Sequence, residues 1–267
     1  MSVLLHISDT HFGTEQPPVV EALIGFALEH KPDLVVLSGD ITQRARPKQF
    51  RAARKFVDRL KAPLLTIPGN HDIPLFDLFT RLVRPYSRYV AVFGNQLEPE
   101  HSCDDLLVLC VKTTRRWRHV NGEISKQQIE RIALRLEQAS LRQLRIVVVH
   151  QPVAVPRPED AHDRLRGFDR ALARWADAGC DLVMGGHIHL PYVIELPDLK
   201  RPVWAVQAGT AVSHRVRGAV PNSVNLLRWD AQALRCVVER WDYDAAPRAF
   251  AQVAVTELLM HRDELPD

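Results

Sequence analysis

Asp9 with His11, Asp40, Asn70 with His71 and Asp72, His150, and His187 with His189 are the residues of this chain whose types and spacing best suit chemistry. Each group stands directly after a short apolar run. Val3–Ile7 leads into Ser8-Asp9-Thr10-His11, Leu34–Leu37 into Ser38-Gly39-Asp40, and Leu64–Ile67 into Pro68-Gly69-Asn70-His71-Asp72. Ile146–Val149 leads into His150-Gln151-Pro152, and Leu182–Met184 into Gly185-Gly186-His187-Ile188-His189. Nitrogen and oxygen donors of this kind suit Mn, Fe or Zn better than Ca. Taken singly, each group has a plain alternative. Asp-x-His arises by chance, His150 could be a hydrogen-bonded strand-end residue, and Gly39-Asp40 could be a turn. Five such groups, each at the end of an apolar run, are not explained by turns and caps. In open α/β sheets ligands bind just beyond the carboxyl ends of the strands, where these loops could converge.

The ordered set Asp9-x-His11, Gly39-Asp40, Gly69-Asn70-His71-Asp72, His150 and Gly186-His187-x-His189 resembles the calcineurin-like metallophosphoesterases. Within that family the Ile7-Ser8-Asp9-Thr10-His11 opening and the compact size are most similar to the bacterial cyclic-nucleotide phosphodiesterase branch. The resemblance implies a binuclear site. Asp9, His11 and His189 would hold one metal, Asn70, His150 and His187 the other, and Asp40 both. His71 would face the substrate phosphate and the leaving oxygen, with Asp72 orienting it. Two divalent cations clamp a phosphate and stabilise charge on its attacking and leaving oxygens. Asp9 and Asp40 offset only part of their charge, so the site stays positive and acidifies a bound water. The implied reaction is attack by a metal-bridging hydroxide on a small phosphodiester such as a cyclic nucleotide. A nuclease or a nucleotide-sugar-lipid pyrophosphatase of the same fold is the alternative, as is a catalytically silent regulatory scaffold. Ile41-Thr42-Gln43-Arg44 after Gly39-Asp40 departs from the protein Ser/Thr phosphatases, and the missing Tyr near Asp40 departs from the purple acid phosphatases.

The elements that must position these residues follow from periodicity. The apolar runs are four to six residues of mainly Val, Ile and Leu, as in buried strands. Val203–Val206 and Val224–Leu227 read the same way. Between them lie amphipathic helices at Val20–Leu28, Pro47–Leu60, Ser125–Ala139 and Phe168–Ala178, with Pro47 in a first turn and Ser125 with Gln128 as a capping box. The first half is therefore β-α-β-α-β with parallel strands. After Pro191 the pattern is strand-like, which points to a second, more antiparallel sheet. The fold expected is α/β, two packed mixed sheets flanked by helices in an αββα sandwich. Residues 1–267 are expected to form one domain, with 73–102 a flap beside the site and 245–267 a tail of uncertain structure.

Three loops could rim a pocket. Thr113–His119 supplies Arg115 and His119, Ser213–Arg217 supplies His214 and Arg215, and the flap carries Arg81, Arg84 and Arg88. Arg115, His119, His214 and Arg215 are the candidate substrate contacts. His6, His30, His101, His162 and His261 have no motif around them.

Composition closes off other classes. With 267 residues, 46% hydrophobic and 25% charged, the chain is neither disordered nor fibrous. Its 12 His against 4 Cys fit an imidazole-based metal site, and Cys103, Cys110, Cys180 and Cys236 make no C-x-x-C pair. A net charge of +3 makes nucleic acid neither indicated nor excluded as a partner. No apolar run reaches the length of a spanning helix, and the N-terminus lacks the features of a signal peptide, so no membrane partner and a cytoplasmic location are expected.

Overall fold

The computed structural model describes residues 1–118 and 120–260. Along the chain run β1 (Ser2–Ile7), α1 (Pro17–His30), β2 (Leu34–Leu37), α2 (Pro47–Arg59), β3 (Leu64–Thr66), α3 (Leu78–Val83), α4 (Ser87–Phe93), β4 (Glu100–Ser102) and β5 (Leu106–Cys110). Then come α5 (Lys126–Glu137), β6 (Leu144–Val148), α6 (Phe168–Asp177), β7 (Leu182–Gly185), β8 (Tyr192–Glu195), β9 (Trp204–Gln207), β10 (Ser223–Asp230), β11 (Arg235–Asp244) and β12 (Ala249–Leu258).

Side-chain alternation decides the layers. Leu5, Ile7, Val35 and Leu37 point to the apolar stripe of α1 and α2, where Leu23, Phe26, Phe50 and Phe56 are buried. Their neighbours Leu4, Leu34 and Val36 point the other way, into a layer shared with Val108, Ile146, Val148 and Met184. Leu107, Val147 and Val183 face α5 and α6, packing on Ile132, Leu136 and Trp175. Strands buried on both faces explain the unbroken apolar runs. The outcome is two six-stranded mixed sheets face to face, ordered β12-β11-β10-β1-β2-β3 and β4-β5-β6-β7-β9-β8, with helices outside. The αββα sandwich expected from the sequence is the fold observed. Ser125 Oγ accepts from the Gln128 amide at 3.2 Å and Gln128 Oε1 accepts from the Ser125 amide at 3.1 Å, so α5 starts at its capping box.

One expectation needs correcting, and one segment of uncertain structure takes a definite place. The strands after Pro191 do not form a sheet of their own. β8 and β9 extend the second sheet, whereas β10 returns to the first and pairs antiparallel with β1, Leu4 opposite Leu227. Pairing partners lie far away in sequence, so local pattern cannot choose the sheet. The tail, at least over 245–260, is no loose end, because β12 pairs antiparallel with β11 over nearly its whole length. As an edge strand it turns only Phe250 and Leu258 inward, too few apolar positions to announce it. Residues 261–267 of that tail lie outside the described residues.

The segment 73–102 is built differently along its length. β4 pairs with β5, and α4 packs beside α2 with Tyr89 fully buried, its hydroxyl donating to the Thr66 carbonyl at 2.8 Å. α3 stands on the surface a few residues beyond the turn that carries His71.

Candidate metal centre

The loops after β1, β2, β3, β6 and β7 meet at one end of the sandwich, and backbone bonds stitch them together. The Asp9 amide donates to the Gly39 carbonyl at 3.1 Å, the His11 amide to the Asp40 carbonyl at 3.0 Å, and the Gly186 amide to the His150 carbonyl at 2.9 Å. Asp9, His11, Asp40, His187 and His189 all have left-handed backbones, with φ of 52°, 42°, 48°, 77° and 57°. Each costs on the order of 1–2 kcal/mol relative to an ordinary conformation. Five such residues in one cluster are held there by the surrounding fold, at the place where the side chains must converge.

Convergence is close. Asp9, His11 and His189 form one group of donor atoms within 4.8 Å of one another, and Asp40, His150 and His187 form a second. Asp40 lies between them. Its Oδ2 is 3.8 Å from His11 Nε2 and its Oδ1 is 3.3 Å from His150 Nε2. Asn70 turns its Oδ1 to His150 Nε2 at 3.1 Å. All seven residues expected to hold metal are thus brought to one cluster, and His71 joins it in a third donor group with His11 and Asp40.

The histidines are fixed from behind. His150 Nδ1 donates to the Ser38 carbonyl at 2.8 Å, His71 Nδ1 to the Gln43 carbonyl at 2.9 Å, and His189 Nδ1 to the Arg215 carbonyl. A carbonyl only accepts, so in the neutral form that a metal requires each ring would present a bare Nε2 to the cluster. Two buried atoms in the middle, Asp9 Oδ1 and His187 Nδ1, have no hydrogen-bond partner among the described residues. Buried lone pairs left unmatched are costly, and cations would satisfy both. The donor set fits a metal pair.

The electrostatics run the same way. Burial opposes the charge on Asp40, yet His150, His71 and His11 around it hold its carboxyl well below the usual range. Burial also opposes charge on His150, but Asp40 and Asp9 outweigh it and raise the ring to about 9. For His11 and His187 burial wins, and both fall to about 3. Without metal, then, His150 carries a proton that a ligand must lose. Its folded-state value lies above the ordinary 6.5, so the stability it adds is complete below that pH and vanishes as pH rises through about 9. Metal binding at neutral pH is therefore expected to expel at least about one proton per chain, with affinity rising toward pH 9. Calorimetric titration in buffers of different ionisation enthalpy reads that number, and a value of zero would contradict the assignment.

Two glycines let the loops approach. A Cβ on Gly186 would fall on Ser8 Oγ and Asp9 Oδ2, and one on Gly69 would fall on the Asp40 amide and carboxylate. Gly186→Ala is expected to cost about 1–3 kcal/mol, roughly 2–4 °C of melting temperature per kcal/mol for a chain of this size. It should also displace Asp9 and weaken metal uptake. An unchanged melting temperature and metal content would show that the loop has slack.

Asp72 acts on the loop rather than on the ring. Its carboxylate accepts from the amides of Ile41, Thr42 and Gly69 at 3.0, 2.8 and 2.9 Å and from the Thr42 hydroxyl at 2.8 Å. It ties the loops after β2 and β3 together, while the Gln43 carbonyl orients His71. Burial and the neighbouring Asp40 raise Asp72 to about 6, against the pull of those bonds.

The rim is a cavity of about 710 Å³ whose lining includes Asp40, Asn70, His71, His187, His189 and Arg215. The Arg215 guanidinium lies 3.3 Å from His71 Nε2 and 3.1 Å from Gln43 Oε1. Arg115 and His214 are not brought to it. The Arg115 guanidinium donates to the Lys112 and Thr114 carbonyls and to Gln128, and His214 is exposed away from the cavity wall. His119 lies outside the described residues. Arg217, of the Ser213–Arg217 loop, lies on the wall as well, and sequence reasoning missed Asp160 and Asp163 there. Asp163 Oδ1 lies 3.8 Å from His187 Nε2, and Arg217 pairs with buried Asp160 at 2.6 Å. Nothing in the Pro158–Asp163 turn marks it as a wall of the site.

No helix among the described residues is long and apolar enough to cross a membrane. The sequence model of the calcineurin-like phosphoesterases matches residues 2–191. The chain is 42% identical over 83 residues to "Glycerophosphodiester phosphodiesterase GpdQ" of Enterobacter lignolyticus, covering 26% of this chain and 29% of that one. It is 25% identical over 187 residues to a "Probable cyclic nucleotide phosphodiesterase" of Synechococcus, covering 68% and 67%. The chain thus spans less than a third of the first relative and two thirds of the second. The crystal structure of a dimetal phosphatase from Danio rerio superposes with a TM-score of 0.68 at 14% identity, covering 97% of this chain and 99% of that one, which is a likeness of fold. Ordered motifs, two-sheet sandwich and clustered metal donors agree with that match, and the chain belongs to the calcineurin-like phosphoesterase family.

Proposed function

We propose that this chain is a two-metal phosphodiesterase acting on a small phosphodiester, a cyclic nucleotide being the leading candidate. Asp9, His11 and His189 would hold one cation, Asn70, His150 and His187 the other, and Asp40 both. The observation that carries this is Asp40, whose two oxygens face one histidine of each set at 3.8 and 3.3 Å. When bound, the cations supply Lewis-acid charge neutralisation and an activated water for in-line displacement. The imidazole-rich set with two carboxylates suits Mn, Fe or Zn.

The remaining work falls to the chain's own side chains. His71 is held at Nδ1 by the Gln43 carbonyl while its Nε2 accepts from Arg215; once Arg215 turns to the substrate phosphate and the ring is protonated, Nε2 can deliver its proton to the departing alkoxide. Arg215, beside His71, places a fixed positive charge where a phosphate oxygen would lie. Hydrogen bonds to Gln43 and His71 restrict where the guanidinium can sit. A cavity of about 710 Å³ has the volume of a small-molecule site, which favours a compact diester over a polymer track. Its wall mixes Arg215 and Arg217 with Asp160 and Asp163, so it is no continuous basic groove of the kind that follows a nucleic-acid backbone.

The test is a substrate panel with the Mn-loaded protein: a bis-aryl phosphodiester, an aryl monoester, 2′,3′- and 3′,5′-cyclic nucleotides, and single-stranded DNA. Turnover of the bis-aryl diester and a cyclic nucleotide well above the monoester is expected. Monoester preference would remove the diesterase reading, DNA preference would favour the nuclease, and no turnover would favour a silent scaffold.

A further inference from the structure

α3 and the residues leading into it are inside out. Arg81 turns inward and is buried, donating to the Pro74 and Arg118 carbonyls at 3.3 and 3.1 Å. Phe76, Leu78, Phe79, Leu82 and Val83 turn outward, with Phe76 and Phe79 79% and 77% exposed. The loop carrying Trp117, itself 65% exposed, lies against them, because Arg116 donates to the Leu82 carbonyl. A surface helix ordinarily shows the reverse pattern, and contiguous exposed apolar groups of this kind mark an interaction site. Nothing in catalysis uses them.

The charge around the patch is one-sided. Arg44 lies over the Phe76 ring at 5.7 Å and Arg116 over Trp117 at 5.7 Å, and Arg84 is exposed at the end of α3. Among the described residues no carboxylate pairs with these three. The nearby acids are already engaged, Asp77 with Arg88 at 2.6 Å and Glu123 with Arg118 at 2.9 Å. We infer that this aromatic and aliphatic face, rimmed by Arg44, Arg84 and Arg116, docks on an anionic phospholipid surface. Apolar groups enter the acyl boundary while arginines meet the headgroup phosphates. A second copy fits worse, since a two-fold contact would set the same arginines against one another. Nucleic acid fits worse too, because Leu78, Leu82 and Val83 at the centre offer bases neither a stacking face nor a hydrogen bond. The patch begins just beyond the His71-Asp72 turn, and Val120 of the adjoining loop lines the cavity, so docking would bring the mouth of the site close to the bilayer.

The inference is independent of catalysis and is tested by flotation of the full chain with vesicles of pure phosphatidylglycerol or pure phosphatidylcholine. At low salt, at least about tenfold stronger partitioning to phosphatidylglycerol is expected, with a blue shift of tryptophan emission that Trp117→Phe removes. Arg84→Ala should weaken partitioning about fivefold, and Phe79→Asp should abolish it. Both variants should keep the melting temperature and turnover of a soluble bis-aryl diester, which separates lost docking from lost fold. Three results would overturn the inference: no flotation with phosphatidylglycerol, equal flotation with phosphatidylcholine, or a dimer that Phe79→Asp dissolves without any lipid binding.

Discussion

Asp40→Asn is expected to lose metal and activity together. The substitution is nearly isosteric, so the fold should survive it. An amide has one acceptor oxygen and one NH2 group. Whichever way the new amide turned, its NH2 would face either His11 or His150, where Asp40 presents an oxygen at 3.8 and 3.3 Å. One ligand bond is lost outright, along with one of the two carboxylate charges that let two cations lie side by side. Metal content should fall from two per chain toward one or none, and kcat by about a thousandfold or more. Elemental analysis after gel filtration, paired with circular dichroism, makes the measurement. A folded, active and metal-free Asp40→Asn protein would sink the two-metal reading.

His71→Ala should behave in the opposite way. His71 lies in a donor group with His11 and Asp40, so geometry alone allows it to be a ligand. Two features favour a role toward substrate. Its ring is tied to the Gln43 carbonyl on one side, and Arg215 lies 3.3 Å from Nε2 on the other, so the two groups stand side by side where both can reach one phosphate oxygen. The variant is therefore expected to keep its metal and lose about 10²–10⁴ in kcat, the usual range for a lost general acid. The loss should shrink as the leaving group becomes more acidic, because a good leaving group needs no proton. A fall in metal content, or the same loss for every leaving group, would place His71 among the ligands instead.

What could be read from the sequence followed from locality. Each motif follows directly on its strand, so apolar run and polar turn are seen together at Asp9, Asp40, Asn70, His150 and His187. Unbroken apolar runs and a capping box mark the inner strands and α5 close to their observed bounds. The misses have two causes. β12 shows only Phe250 and Leu258 to the core, and β10 pairs with β1 from the other end of the chain. Arg115 and Arg215 are alike in sequence, each in a basic loop after a strand. Only the fold shows that one guanidinium is engaged by local carbonyls and Gln128 while the other lies against His71. Gln43, which orients His71 through its backbone, carries no side-chain signal for that role.

Anomalous diffraction from crystals of the full chain grown with Mn tests the central claim most directly. Two peaks are expected, roughly 3.5–4 Å apart, one beside Asp9, His11 and His189, the other beside Asn70, His150 and His187, with the Asp40 carboxylate between them. A single peak, or two peaks that do not share Asp40, would contradict the two-metal account.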